Sequence, residues 1–459
     1  MAVGKINTAF EQYNYNTLAC KVDKKDNEQT ISHACAYPNF CAKTIPLNAN
    51  QQVTIRTELS TKEEKKKYNE ICSKLDRNTK KVVNTLLKNG ILLNNNSDDK
   101  SSVLDNLHKI ATEPRAKGLT NNGILRDAIA TIAYPFLITQ QFGDIPEKYR
   151  QTAIQANNTF KTQNPKQTSD DINVEHSGTC VAASTEFKLA KQMPAEFTRL
   201  AQELSSPELS AYKNIKLENL ADNTLNGVWL LNAFEIPFTL NKNYNDAELK
   251  FAPDRNAIIR AQIQTTDKDP EERTPLDVLM QSTFMQIGSQ QSYNTLTDKR
   301  SGKFNQNDKG LIEFEKTFTE SVVFDKNILS VTYQTVDENA RLIGYETDLD
   351  TMKKHLLTAL DMGENIIIGY TQTNENNIIV NGHEITIVGY KKDENGKLNF
   401  ICNDTDDGIS RPIVYSEDYL LPKIHHAALP KEVVEKDMNI VPNWEEGIDM
   451  FKQMKKQAA

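Results

Sequence analysis

One cysteine in this chain lies where its sulfur is set up for chemistry. The string His176-Ser177-Gly178-Thr179-Cys180-Val181-Ala182-Ala183-Ser184 puts Cys180 just after a glycine loop, at the first turn of an apolar helix. A helix N-terminus carries partial positive charge and unpaired backbone N–H groups. Both favour thiolate over thiol, and the thiolate is the nucleophile. The same N–H groups can hold an oxyanion, as acyl transfer requires. The small residues after Cys180 let such a helix lie deep in a domain.

A thiol nucleophile needs a base, and the base needs an orienting partner. His383 opens the apolar run His383-Glu384-Ile385-Thr386-Ile387-Val388-Gly389-Tyr390, which reads as a strand. A histidine held at a strand end can face a helix N-terminus. The next strand, Leu398-Asn399-Phe400-Ile401-Cys402, runs into Asn403 and Asp404, and the turn signal Asp393-Glu394-Asn395-Gly396 joins the two as a hairpin. Loop length decides which residue meets His383. A two-residue loop at Asn395-Gly396 sets Gly408 opposite, and a four-residue loop sets Asp406 opposite. A five-residue loop or a bulge is needed to bring Asn403 there. The orienting residue is therefore Asn403, Asp404 or Asp406 on this reading, and a one-residue slip would turn the side chain to the other face.

The order Cys at a helix start, His at a strand start, then Asn after a hairpin resembles the papain-like cysteine peptidases. The strings SGTCVAAS, NGHEITIVGY and FICNDTDDG carry the resemblance, in islands over about residues 166–425. Leu349–Gly369 is similar to the helix, glycine and buried strand that precede the histidine in that superfamily, and Pro275–Tyr293 faintly resembles a helix of calpain-type members. The resemblance implies an α+β fold in which a helical lobe packs on an antiparallel β-rich lobe, with the site in the cleft between. It implies a cysteine peptidase working through a thioester, with Cys180 as nucleophile, His383 as base and then acid, and Asn403 orienting the imidazole. It implies no cofactor and no metal, and a protein or peptide substrate. The family's glutamine six residues before the cysteine is Val174 here, with Asn173 or His176 nearby. Its tryptophan next to the cysteine is Val181, and none follows Asn403. A transglutaminase or deamidase shares the thioester chemistry and the residue order, and an acidic third residue at Asp404 would favour it. A degenerate papain-like binding module is the non-enzymatic alternative.

Other patterns define the elements that must position these residues. Residues 1–56 are polar and irregular. From 57 to 165 the chain is mainly helical. Thr61 and Glu64 fit a capping box, Val82–Leu87 continue to a stop near Asn89-Gly90, and Val103–Thr112 and Ile124–Phe136 follow a loop at 94–102. A polar stretch at 158–171 reads as a linker. This helical region could be a propiece blocking the cleft, a substrate-recruiting domain or a structural extension. Residues 166–430 form the catalytic domain, with a buried helix from Cys180 to before Pro194 and another ending at Gly288. About 200 residues separate Cys180 from His383, so 205–345 holds insertions. Beyond 320 strands dominate. A helix carrying Met352, Leu356 and Leu360 stops at Gly363, before the buried strand Ile366-Ile367-Ile368. The tail 431–459 carries a helix over Trp444–Lys456.

Composition excludes other classes. The chain has 459 residues and a net charge of −8, from 54 basic and 62 acidic side chains. No dense basic block offers phosphate contacts, so nucleic acid is not an expected partner. No stretch approaches the roughly 20 apolar residues of a membrane span. The first residues lack an apolar signal core, so the expectation is a cytoplasmic chain or one exported without a classical signal. Six cysteines are too few for a disulfide scaffold. Cys20, His33, Cys35 and Cys41 are ligand types, but Cys35 and Cys41 miss the C-x₂₋₄-C spacing of zinc sites, so no metal site is read there. His425-His426 reads as an exposed pair with a structural role at most.

Overall fold

The structure is a computed structural model that describes residues 55–141, 145–163, 172, 177–220, 226–266, 272–302, 309–337, 339–406 and 410–434. Cys20, His33, Cys35, Cys41, Asn173, Val174, His176, Gly408 and the expected helix at Trp444–Lys456 lie outside the described residues.

The first helices begin where side chains satisfy the orphan N–H groups. Thr61 and Glu64 bond reciprocally and open Lys62–Ser73; Ser102 and Asp105 do the same for Val103–Thr112. Arg77–Lys88 ends at Asn89, and Gly90 follows at φ +74°, which suits glycine. The apolar stripe expected to run to Phe136 stops earlier. The helix spans Asn121–Ala133, and Pro135–Leu137 forms a 3₁₀ turn. Pro135 has no N–H to continue the α-helical ladder. That break sends the chain from Ile138 into Thr139-Gln140-Gln141. Helix Glu147–Gln163 takes the first part of the stretch expected to be a linker.

The Cys180–Gln192 helix follows, and Met193 breaks it before Pro194–Leu204. Val181 through Ala190 are all buried, and the polar Ser184, Thr185, Glu186 and Lys188 are buried along with the apolar residues. The expected insertion region holds a small antiparallel sheet of β1 (Ala211–Lys216), β2 (Phe238–Leu240) and β3 (Asp246–Phe251), in the order β1-β3-β2. Helices Ala257–Thr266 and Pro275–Gly288 lie beyond it. Helix Glu313–Phe324 overlaps the stretch expected to be dominated by strands.

The C-terminal part is built on β4 (Ile328–Thr332), β5 (Gln334–Val336), β6 (Leu342–Tyr345), β7 (Ile366–Thr373), β8 (Ile379–Lys392), β9 (Leu398–Asn403), β10 (Ile413–Ser416) and β11 (Ile424–Pro430). Six strands form one antiparallel sheet in the order β10-β9-β8-β7-β11-β4; β5 and β6 pair separately. Helix Leu349–Asp361 precedes β7 and stops before Gly363 at φ +87°. The class is therefore mixed helix and antiparallel sheet. Among the described residues no helix is long and apolar enough to cross a membrane.

One buried apolar cluster runs from Ile71 to Val434. The N-terminal helices share their core with the Cys180 helix: the rings of Phe136 and Phe187 meet edge-on at 5.1 Å. Phe187 is fully buried. Phe187→Ala is expected to cost about 3–5 kcal/mol, read by urea unfolding. A loss under about 1 kcal/mol would mean that the site collapses around the cavity and that Phe187 does not couple the two parts.

Candidate active site

Cys180 is the first residue of its helix, with Thr179 before it. The Thr179 hydroxyl does not cap the helix; it donates to Gln281 Oε1 at 3.1 Å. Gly178 donates its N–H to Asp298 Oδ2 at 2.5 Å, and a Cβ at Gly178 would stand 2.5 Å from Lys309 Cβ and 2.9 Å from the Gly310 nitrogen. The loop before Cys180 must therefore be glycine at this point. Burial pushes the Asp298 carboxyl up to about 6, against the pull of the Gly178 N–H and the Tyr293 hydroxyl.

His383 lies in β8 opposite Tyr370 of β7. Its imidazole lies beside the Cys180 side chain on one side and places Nε2 2.7 Å from Asp404 Oδ1 on the other. Burial works against a charged imidazole, but the interactions with Asp404 and Cys180 outweigh it and hold the His383 pKa well above its ordinary value. Burial likewise opposes the charge on Asp404, and His383 outweighs it, so that carboxyl is held below its usual range. The Cys–His–Asp line has the connectivity of an activated thiol nucleophile.

The expected Asn403 is not the residue on His383. Lys392 pairs with Leu398, a bulge falls between Ile387 and Gly389, and pairing ends at Thr386 with Asn403. Asn403 is buried, and its amide nitrogen finds no hydrogen-bond partner among the described residues. The chain then turns. Asp404 Oδ1 accepts the Asp406 N–H at 3.0 Å as well as the imidazole. That Asx turn brings the carboxylate of the next residue onto His383. Asp406 is engaged elsewhere: its Oδ1 accepts from Gln140 Nε2 at 2.9 Å and Gln141 Nε2 at 2.6 Å.

Those two glutamines belong to a segment that local sequence patterns do not mark. The Thr405 carbonyl accepts from the Gln140 N–H at 2.9 Å and from the Thr139 hydroxyl at 3.0 Å. The Thr405 hydroxyl donates to Gln140 Oε1, and Gln141 Nε2 also reaches the Asp406 carbonyl. On the other side, Ser177 donates to the Gln140 carbonyl at 2.6 Å. Thr139–Gln141 thus ties the loop before Cys180 to the turn that carries Asp404. Buried Gln281 supports it from behind, donating to the Thr139 carbonyl and to Glu186 Oε2, both at 3.0 Å. Arg273 donates its N–H to the Gln141 carbonyl at 2.7 Å. The partners are up to 266 residues apart, so no spacing signal reveals them. Both glutamine amides turn toward the 404–406 turn.

The exposed reading of His425-His426 is corrected by the structure. His426 is buried and His425 half-buried, and both face Glu313. No protein-family model matches the chain, and a search of curated proteins finds no match.

The geometry sets two expectations for Cys180. Iodoacetamide should alkylate it at pH 6 at least about tenfold faster than a free model thiol, with peptide mapping to separate it from Cys72. In Asp404→Asn the alkaline limb of that reactivity should move to lower pH. The sign follows from the raised His383 pKa: the imidazolium persists until pH climbs through that value, and removing Asp404 lowers it. An unmoved limb would detach Asp404 from the imidazole.

Proposed function

We propose that this chain is a papain-like thiol hydrolase acting on protein or peptide amides. The observation that supports it is the placement of His383 between the Cys180 side chain and the Asp404 carboxylate. The two-lobed arrangement belongs to the proposal: helices around Cys180 form one side of the cleft, and the antiparallel sheet that carries His383 and Asp404 forms the other.

In this reading the Cys180 thiolate attacks the amide carbonyl carbon. The carbonyl electrons move to oxygen, and helix N–H groups, including that of Cys180, stabilise the charge. The imidazolium of His383 gives its proton to the departing amine as the C–N bond breaks, leaving a thioester on Cys180. His383, now neutral, takes a proton from water as the water attacks the thioester. The acid product leaves, and the sulfur and imidazolium are restored. Asp404 holds the ring in the useful orientation and stabilises its charge without taking the proton.

The helical region 57–165 is an integral part of the enzyme in this proposal, not a removable propiece. Its buried apolar residues from Ile71 to Ile138 lie in the common core, and Thr139–Gln141 braces the turn that carries Asp404. A chain beginning at residue 166 is expected to be insoluble or unfolded by circular dichroism. A soluble fragment with activity above the parent would restore the propiece reading.

Asp404 gives weight to a second outcome of the same chemistry. A side-chain amide substrate makes the enzyme a deamidase, and an amine in place of water makes it a transglutaminase. Mass spectrometry of glutamine-containing peptides, with and without a primary amine, separates the three: backbone cleavage, a deamidation shift or an amine adduct. Cys180→Ala should abolish whichever product forms while leaving the fold intact, because alanine fits a helix start backed by Val181, Ala182 and Ala183. Turnover retained in that variant would falsify the assignment of the nucleophile.

A further inference from the structure

The chain carries a second convergence of chemical groups, on the far side of the strand that holds His383. Glu313 opens helix Glu313–Phe324, and His425 and His426 are consecutive in β11. Consecutive strand residues ordinarily point to opposite faces. Here Ile424 pairs with Tyr370 and His426 with Gly369, which leaves His425 as the extra residue of a bulge. Bulges re-aim side chains, and this one turns both rings to the same carboxylate. The Nδ1 atoms of His425 and His426 are 3.0 Å apart, and they lie 2.9 and 3.3 Å from Glu313 Oε1.

Three donor atoms at the corners of so small a triangle match one face of a metal polyhedron. With bonds of about 2.0–2.2 Å, neighbouring ligands stand roughly 3.3–3.6 Å apart on a tetrahedral ion and roughly 2.8–3.1 Å apart on an octahedral one, and the three edges here fall across those two ranges. The surroundings are those of a ligand set. His426 turns its other nitrogen, Nε2, toward the Glu384 carboxylate, with Oε1 at 3.0 Å. Lys316 Nζ holds the other oxygen of Glu384 at 3.2 Å, so its charge is engaged there. The Thr332 hydroxyl donates to Glu313 Oε2 at 3.2 Å, which leaves Oε1 for the centre. Room for the buried ring is built in: a Cβ at Gly369 would stand 2.2 Å from His426 Cε1.

The geometry points to a binding site for a divalent transition-metal ion, held by Glu313, His425 and His426. Two imidazoles and one carboxylate suit zinc, cobalt or iron(II), whereas calcium and magnesium take oxygen ligands. The His425 and Glu313 side chains keep about a fifth of their surface exposed, so solvent can fill the remaining coordination positions. A bound ion would pin the start of helix Glu313–Phe324 to β11, and through Glu384 it would brace the strand position next to His383. The inference does not depend on the thiol chemistry.

The test is a cobalt(II) titration of the full-length Cys180→Ala protein, from which the sulfur beside His383 has been removed. A visible ligand-field band without thiolate charge transfer is expected. Zinc should displace the cobalt and raise the melting temperature. Glu313→Gln and His425→Ala should each weaken binding at least about tenfold, since even supporting residues are worth 10- to 100-fold. His425 is partly exposed, so His425→Ala carries the test alone if Glu313→Gln does not fold. No band at millimolar cobalt overturns the site. So does a thiolate charge-transfer band as the only signal, or binding unchanged in folded His425→Ala.

Discussion

The bond between His383 Nε2 and Asp404 Oδ1 joins two pieces of chain that the sheet does not hold together. Ladder pairing of β8 with β9 ends at Thr386 and Asn403, three residues short of His383. The carboxylate reaches the imidazole because the chain turns at once, with Asp404 accepting the Asp406 N–H. A turn of this kind on a surface would fray. Here Thr139, Gln140 and Gln141 bind its two following residues through backbone and side-chain hydrogen bonds. A hydrogen bond involving a charged partner contributes about 1.5–3 kcal/mol, and leaving a buried charge without one costs more. The brace therefore sets both the place of Asp404 and the charge that His383 can carry.

This dependence assigns the helical half a role that apolar packing alone would not. Pro135 ends its last apolar helix, and that ending frees the segment that crosses between the cysteine loop and the turn that carries Asp404. Ser177 bonds the Gln140 carbonyl and Gln140 bonds Thr405, so one residue touches both sides of the site. A displacement of this segment would move the sulfur and the carboxylate together, and would leave the imidazole on β8 behind.

What the sequence reveals and what it hides follow the range of the forces involved. Local signals locate Cys180 at its helix start, the capping box at Thr61, the stop at Gly363 and the strand of His383, because each is written in a few adjacent residues. The third residue at the site was ambiguous for a physical reason. A single bulge between Ile387 and Gly389 shifts the register, and the strand then ends before it reaches His383, so counting across the hairpin names the wrong partner. Thr139–Gln141 was invisible because its bonds span more than 260 residues. The pairing of Glu313 with His425 and His426 depends on another bulge and on a helix over 100 residues away, and neither leaves a mark on composition or period.

Behind the sulfur lies a polar interior that packing energy does not explain. Gln281 uses both ends of its amide, accepting from Thr179 and Arg273 and donating to Thr139 and Glu186. Asp298 anchors Gly178, and Tyr293 donates to the same carboxyl at 2.9 Å. Replacing buried ionic groups with well-packed apolar residues of similar volume is often neutral or stabilising. The apolar residues would not fix direction. An apolar contact lets a loop slide by a fraction of an ångström, whereas a hydrogen bond weakens steeply as its angle opens. The loop before Cys180 is held by such bonds at Ser177, Gly178 and Thr179 in succession. Three consecutive residues fixed in angle leave the next one, the sulfur-bearing residue, little freedom to miss the imidazole. On this argument the buried polar groups are positioning elements, and the stability they forgo is the cost of holding one atom in place.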